Sequence, residues 1–277
     1  EDYAARPKLL DLFCGSGGAA FGYCLAGFQI VGVDIAPQPN YLFAFHQADA
    51  LEFLAKHHQD FDAIHASPPC QGYSIMNNLP WLRNREYPLL ILPTIEMLEA
   101  IGKPYVLENV MGARHGAKGL RKRGLEAHGL KAGWLCGTMF GKPFYRHRLF
   151  ATNWFWLAPG HPKHRLNLHP RSERWVYGGT VKGLPGGAAG LDVKPKDPFH
   201  DKNGKSIIGP GNLGKGAGLS RWQGNDAQAA GIGIGHAKGW RLAAEAMGIN
   251  WMNRAELTQA IPPAYTSWLG TELLKQC

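Results

Sequence analysis

The sequence lacks the features that mark membrane, secreted and unstructured proteins. No apolar run approaches the roughly 20 residues that span a bilayer, and residues 1–6 hold no apolar stretch of the kind that a signal peptide has. The five cysteines show no disulfide spacing pattern, and their odd number is typical of reduced thiols, so we expect a cytoplasmic protein. With 45% hydrophobic residues among 277, the chain can bury a sizeable core, which excludes overall disorder.

Acidic residues are scarce after the first hundred positions. Residues 1–100 carry 5 Lys/Arg and 11 Asp/Glu, residues 101–150 carry 10 against 2, and residues 151–240 carry 12 against 5. The formal net charge of +9 favours a polyanionic partner for the second part of the chain. A charge gradient that serves only solubility would give the same numbers, so charge alone leaves both interpretations open.

Short apolar runs alternate with helical patterns over residues 8–108. Strands are predicted at 8–13, 29–34, 61–66 and 104–108, and helices at 19–27, 51–58 and 89–101. This alternation predicts an α/β fold with an open, mostly parallel, doubly wound sheet, whose ligands bind beyond the carboxyl ends of the strands. Residues 178–239 hold 17 of the 36 glycines and predict an irregular, loop-rich region, after which residues 240–270 regain helical patterning.

Glycines and acids lie at the predicted strand ends. The turn Asp11–Gly18 allows close approach of a ligand to the backbone, but it is neither a phosphate-binding loop nor a regular G-x-G-x-x-G motif. Asp34 ends the next strand, where an acid can accept both ribose hydroxyls, and Asp49 follows at the position of an adenine edge. Each acid alone could be a helix cap or a turn residue. Together they favour an adenosine cofactor without a pyrophosphate.

A cysteine and a glutamate follow two further strands. Cys70 comes after two prolines, which fix φ and hold this side chain rigidly, and Glu108 ends the next core strand. A thiolate is a strong nucleophile, and a protonatable carboxyl beside it suits attack on an electron-poor nitrogen heterocycle. The alternative is a buried structural cysteine with a capping glutamate.

These segments, taken in order, resemble the motifs of the cytosine-C5 DNA methyltransferases. The resemblance rests on residues 11–18, Pro69-Cys70-Gln71, Glu108-Asn109-Val110 and Arg146-His147-Arg148, and Ile261-Pro262-Pro263 is similar to the last motif of the family. It implies a Rossmann-like methyltransferase of a compact phage or bacterial type, in a bacterial cell or an infected host. The implied organisation is a catalytic and cofactor-binding domain at 1–151, a small basic target-recognition region at 152–239, and a return to the catalytic domain at 240–277.

The resemblance also implies a cofactor and site residues. The cofactor is S-adenosylmethionine, held by Asp11, Phe13, Gly15, Gly17, Gly18, Asp34, Ile35, Asp49, Ala50, Pro68 and Gln259. Cys70 attacks cytosine C6, Glu108 binds N3 and the exocyclic amine, Arg148 holds O2, and Arg146 orients the site or binds phosphate. This chemistry requires the base to be flipped out of the duplex.

Double-stranded DNA is the implied partner of a protein that is by default a monomer without membrane contact. The residues implied to bind DNA are Gln71, Tyr73, Ser74, Arg83, Arg85, Lys163, Arg165, Arg171, Arg174 and Arg221. We expect Trp154 and Trp156 to pack onto the sheet instead. We expect no metal, because His161, His164 and His169 have no C-x-x-C partner.

The chain departs from the family pattern at two positions. Phe144 stands where the family has Gln, and Gln259 stands where it has the Asn that closes the pocket around the cofactor's amino-acid part. Three alternatives to DNA methylation with the ordinary cofactor therefore remain. They are methylation of RNA, as in a tRNA-modifying branch of the family, use of a modified S-adenosylmethionine, and nucleic-acid binding without turnover.

Overall fold

A mixed seven-stranded sheet forms the centre of the fold. The computed structural model describes residues 2–73, 87–114, 129–142, 144, 146–162 and 240–277. The strands are β1 (Lys8–Leu12), β2 (Gln29–Asp34), β3 (Ala44–Gln47), β4 (Ala63–Ala66), β5 (Tyr105–Asn109), β6 (Lys131–Leu135) and β7 (Arg148–Thr152). Their order across the sheet is β3-β2-β1-β4-β5-β7-β6. Strands β1 to β5 are parallel to one another, and β7 runs antiparallel to β5.

The helices described are α1 (Gly18–Ala26), α2 (Ala50–His57), α3 (Ile91–Ile101), α4 (Trp240–Met247), α5 (Arg254–Gln259) and α6 (Pro263–Leu273). Side chains alternate between the two faces of each strand. On one face Leu10 and Leu12 of β1 join a core with Leu54 of α2 and Ile95 of α3.

The other face of the sheet is covered by α1. His65 of β4 lies on this face and contacts Tyr23 of α1, with ring centroids 5.2 Å apart. The Thr266 hydroxyl of α6 donates to the Ala19 carbonyl at 2.9 Å, and a Cβ at Gly270 would lie 2.6 Å from Ala26, so α6 packs closely on α1. Helices on both faces of a mostly parallel sheet confirm the predicted α/β, doubly wound class.

The structure confirms the four predicted strands and three predicted helices over residues 8–109, but β3, β6 and β7 were not predicted. β3 is short and largely exposed, so it lacks the apolar run that marks a buried strand. In β6 the central Ala132 and Gly133 are poor strand formers. An antiparallel strand such as β7 needs no crossover helix, so the β–α rule does not predict it.

The C-terminal helical pattern is confirmed as three short helices. Asn253 begins α5 with a capping box, in which its side chain accepts the Glu256 amide while the Glu256 carboxylate accepts the Asn253 amide. Leu257, Tyr265 and Leu269 of this segment are fully buried.

The chain divides into two compact units. The first comprises Glu1–Trp134, Arg148–Ala158 and Thr266–Cys277, and the second comprises Leu135–His147 and Pro159–Tyr265. Residues 163–239 of the second unit lie outside the described residues, so the predicted domain boundaries stay a prediction. In the described part of the chain, none of the helices has the length and apolar character that crossing a membrane requires.

Candidate active site

The glycine-rich turn after β1 has an unusual backbone that Asp34 holds in place. Phe13 has a φ of 58°, a left-handed conformation that costs an aromatic residue about 1–3 kcal/mol. Asp34, at the end of β2, accepts the Gly15 amide at 3.0 Å through Oδ2 and the Ala36 amide at 2.9 Å through Oδ1. The Ser67 hydroxyl donates to the Phe13 carbonyl at 3.1 Å. Three strand ends thus fix the turn.

Space opens at one end of this turn. A Cβ at Gly15 would meet nothing within 4 Å, whereas one at Gly17 would lie 3.0 Å from the Tyr41 ring. Gly15 therefore faces open space, and Gly17 is needed for packing as well as for its φ of 83°. Gly18 is buried at the start of α1.

Asp11 lies beneath the turn and is fully buried. The Tyr41 hydroxyl donates to its Oδ2 at 3.2 Å, and its Oδ1 lies 4.0 Å from Nε2 of His65. Burial raises the pKa of Asp11 to about 8 and lowers that of His65 to about 3. Although the separation falls within ion-pair range, both groups are neutral at pH 7, so this is a buried polar network and not a salt bridge. Asp11 supports the turn from the interior.

Three further predicted cofactor-binding residues lie at the start of α2 and directly after β2. Asp49 caps this helix, since its Oδ1 accepts the amides of Leu51 and Glu52 at 2.9 and 3.0 Å. Its side chain remains exposed, so the capping role and a ligand contact through Oδ2 are compatible. Ile35, directly after Asp34, is 72% exposed, and Ala50 is buried.

Cys70 follows the end of β4, and its segment is tied to β5. The Asn109 side-chain amide donates to the Pro68 carbonyl at 2.9 Å, and both groups are buried. The Tyr73 amide donates to the Cys70 carbonyl at 3.0 Å, closing a helical turn behind the cysteine. Because β4 and β5 are adjacent and parallel, Cys70 and Glu108 stand at neighbouring strand ends, as the sequence predicts.

Glu108 is paired with an arginine on the adjoining strand. Nε of Arg148 lies 3.1 Å from Oε1 of Glu108, and their side chains are only 14% and 8% exposed. The antiparallel register, with Glu108 opposite Phe150, brings the first residue of β7 to the end of β5. The pair places a fixed positive charge beside the carboxyl group.

The other cysteines make poor candidates for the nucleophile. Burial, followed by the charges of Asp11 and Asp34, raises the pKa of the Cys14 thiol far above its usual range. Burial also raises the pKa of Cys24 and of Cys277. Cys136 is buried, whereas Cys70 is partly exposed at a strand end. A thiol that must form a thiolate beside a substrate fits position 70 best.

Arg146 and Gln259 belong to the second unit. Arg146 is 1% exposed, and its Nη2 donates to the Thr258 carbonyl at 2.7 Å. The Tyr265 hydroxyl donates to the Arg146 carbonyl at 2.6 Å. Of its two predicted roles, this burial favours orientation of the local backbone over binding of phosphate. Gln259 is exposed at the end of α5, with Nε2 3.4 Å from Oγ1 of Thr258.

Few of the predicted DNA contacts fall in the described part of the chain. Gln71 is exposed beside Cys70, but Tyr73 is 8% exposed and packs in the hydrophobic core, so its ring is not at the surface. Outside the described residues lie Ser74, Arg83, Arg85, Lys163, Arg165, Arg171, Arg174 and Arg221. Trp154 and Trp156 are buried, and their ring N–H groups donate to the Tyr105 and Lys131 carbonyls, which confirms their predicted packing role.

Three residues that organise the site were not predicted from the sequence. Asn109 lies inside the Glu-Asn-Val segment, and a polar residue at the buried end of a strand was a visible sign of its role. Tyr41 and His65 complete the network around Asp11, but nothing in their local sequence pairs them with that residue.

The sheet order, the turn after β1 and the acid after β2 define a Rossmann-like methyltransferase. Residues 7–127 match the family described as C-5 cytosine-specific DNA methylase.

Among solved structures, one that is similar over nearly its whole length gives the same picture of the fold. The Dnmt2 methyltransferase of S. pombe is similar over 98% of both chains, with 18% identity and a TM-score of 0.53. A DNA modification methyltransferase encoded within an E. coli prophage shares 22% identity over 53% of this chain, with a TM-score of 0.40, and the match spans 46% of that protein. No curated protein matches the chain.

S-adenosylmethionine is the methyl donor of this family, and the residues present fit it. Gly15 opens onto unfilled space, and the Asp34 carboxylate stands beside it with lone pairs beyond those that accept the two amides. The exposed Ile35 offers an apolar surface next to this carboxylate. A ring with polar edges and a vicinal diol are the groups that such a set of residues would hold.

Proposed function

We propose that the protein methylates C5 of cytosine in double-stranded DNA, with Cys70 as the covalent nucleophile. The observation that carries this proposal is the arrangement at the carboxyl ends of β4 and β5 and at the start of β7. There the Pro68–Cys70 segment is hydrogen-bonded to Asn109, and the neighbouring Glu108 is paired with Arg148.

Attack by sulfur begins the reaction. The Cys70 thiolate forms a bond to C6 of the ring, and the electron pair of the C5–C6 double bond moves toward C5. Protonated Glu108 donates to N3 and stabilises the charge that develops on the ring. Arg148 has five N–H donors, so it can hold the cytosine O2 while it remains beside Glu108.

The methyl group completes the reaction at C5. S-adenosylmethionine supplies this group when it is bound. Loss of the C5 proton to a base then restores the ring double bond and breaks the C6–sulfur bond, which returns Cys70 as a thiolate. The net change is one methyl group for one proton on the base.

Asp34 and the Gly15 turn provide the cofactor site in this proposal. Asp34 accepts the ribose hydroxyls, Asp49 the adenine amine, and Ile35 packs against the adenine. Pro68 borders the pocket on the Cys70 side. Asp11 acts from the interior, because its buried network holds the start of the turn.

Attack at C6 from above the ring requires an extruded base. The concentration of Lys and Arg after residue 100 supports a polyphosphate partner. Gln71 is exposed next to Cys70, and in this proposal it contacts the flipped nucleotide or its neighbour.

The test is transfer of a labelled methyl group from S-adenosylmethionine to duplex DNA of mixed sequence and, in parallel, to tRNA. We expect labelled 5-methylcytosine in DNA and none in RNA, and we expect Cys70→Ser to abolish transfer while DNA binding persists. Cys24→Ser is the matched control, since this partly buried thiol lies on α1 and should not matter. Labelling of RNA alone would assign the RNA reaction instead, and DNA binding without any transfer would assign a binding protein.

A further inference from the structure

We propose that the second unit holds a zinc ion through Cys136, His147 and His161. One ligand atom from each of these residues, the Cys136 sulfur and a ring nitrogen of each histidine, lies within 4.8 Å of the other two. The two imidazole rings are tilted by 49°, with centroids 5.5 Å apart.

The spacing of these atoms suits a tetrahedral ion. With Zn–S near 2.3 Å and Zn–N near 2.0 Å, the ligand atoms of such a site stand roughly 3.3–3.6 Å apart. Side-chain rotations that move each ligand atom by about one ångström would bring the three atoms to these distances. The three residues leave one position of the tetrahedron for a fourth group.

The chemistry of the donors selects the metal. A thiolate and two imidazoles form a borderline-soft set without a carboxylate, which favours zinc and disfavours magnesium and calcium. Cys136 is fully buried and the histidines are half-buried, so water would have little access to the bound ion.

A second layer of contacts surrounds the sulfur. The Thr138 hydroxyl lies 3.4 Å from Sγ of Cys136 and donates to it, which favours the thiolate form that binds metal. The Cys136 amide donates to Sδ of Met139 at 3.3 Å. These contacts hold the thiol in one orientation.

The site explains how a loop between two strands is held. Cys136 directly follows β6, and His147 directly precedes β7. A metal bound by both would close residues 137–146 at their ends, while His161 joins from beyond β7. The closed loop carries Arg146, so the ion would fix the backbone of the Arg146–Arg148 segment.

No metal is expected from the sequence, because zinc sites are recognised there by short spacings such as C-x-x-C. Here the ligands are 11 and 14 residues apart, and only the turn into β7 and the chain beyond it bring them together.

Metal content and cobalt spectroscopy test the proposal. Full-length protein is stripped with a chelator, titrated with Zn²⁺ or Co²⁺, and analysed by mass spectrometry of the metals. We expect one Zn²⁺ per chain, a sulfur-to-cobalt charge-transfer band with the d–d absorption of tetrahedral Co²⁺, and a zinc-dependent rise in Tm of about 5 °C.

Variants separate ligation from loss of fold. We expect Cys136→Ser and His161→Gln each to weaken Zn²⁺ binding by more than about 100-fold, and Thr138→Val by about 10-fold. His161→Gln is the decisive variant, because this side chain is only half-buried and circular dichroism can verify its fold. Cys277→Ser and His57→Gln, which change a thiol and an imidazole elsewhere, should bind as wild type.

Three outcomes would overturn the proposal. They are wild-type protein that binds no zinc, folded His161→Gln protein that binds it with unchanged affinity, and a cobalt complex without the sulfur band. Cu²⁺ ordinarily binds more tightly than Zn²⁺ to such ligands. A preference for copper that exceeds this ordinary difference in affinity would overturn the choice of zinc. Metal content is measured without DNA, so its failure is distinct from failure of the methylation proposal.

Discussion

Asp11→Asn should remove a dependence of stability on pH. The buried carboxyl of Asp11 keeps its proton in the folded protein up to about pH 8, whereas in the unfolded chain it ionises near its ordinary value of 3.8. Between these values the folded state binds more protons, so the free energy of unfolding falls as pH rises, by about 1.4 kcal/mol per pH unit. The stabilising contribution is complete below pH 3.8 and is lost as pH rises through about 8.

Asn is a close mimic of the protonated acid. It can accept from the Tyr41 hydroxyl and donate toward Nε2 of His65, but it does not titrate. His65, with its lowered pKa, stabilises the protein with the opposite sign, since its contribution is lost as pH falls from its unfolded value of 6.5 through about 3. Both proteins share this effect, which cancels in their difference.

The assay is urea unfolding of the two proteins at pH 5, 6 and 7. The free energy of unfolding of wild type minus that of Asp11→Asn should fall by roughly 3 kcal/mol across the two pH units. A difference that stays constant would refute the reasoning, because it would mean that Asp11 is already ionised in the folded state, as in an ion pair with charged His65.

Further predictions concern the turn, the Cys70 segment and the carboxyl. Asp34→Ala should raise the Kd for S-adenosylmethionine in calorimetry at least about 10-fold, because the charged hydrogen bond to the Gly15 amide of the turn and the proposed acceptor of the ribose hydroxyls are both lost. The same titration of the wild-type protein tests whether Gln259 recognises a modified cofactor. Weak binding of unmodified S-adenosylmethionine would support that hypothesis, and tight binding would remove its motive. Asn109→Ala should lower the unfolding free energy by about 1–3 kcal/mol in urea titrations and reduce kcat, since the buried Pro68 carbonyl loses its donor; unchanged stability would contradict this contact. Glu108→Gln should keep DNA affinity but lower kcat about 10²- to 10⁴-fold in single-turnover assays, and near-normal kcat would exclude the proposed proton donor.

Most of the parallel part of the sheet could be predicted because the local sequence pattern identifies its strands. Four of them, β1, β2, β4 and β5, are short and largely buried apolar runs, and the residues that carry chemistry stand at their ends, whereas β3 is largely exposed and was not predicted. Cys70 and Glu108 could therefore be placed at neighbouring strand ends from the sequence.

The remaining features depend on contacts between distant segments. The Arg148–Glu108 pair requires the antiparallel register of β7, and the raised pKa of Asp11 requires burial of its carboxyl group by the fold. The Cys136, His147 and His161 cluster likewise arises from the fold, since its spacing matches no short metal motif.

The most direct measurement is trapping of the sulfur–base bond. Duplex DNA that contains 5-fluorocytosine is incubated with the protein and S-adenosylmethionine, because fluorine at C5 cannot leave as a proton and the final elimination is blocked. A stable adduct should form, peptide mass spectrometry should locate it on Cys70, and Cys70→Ser should form none. Methylated DNA produced by wild type without such an adduct, or an adduct on another residue, would contradict the account.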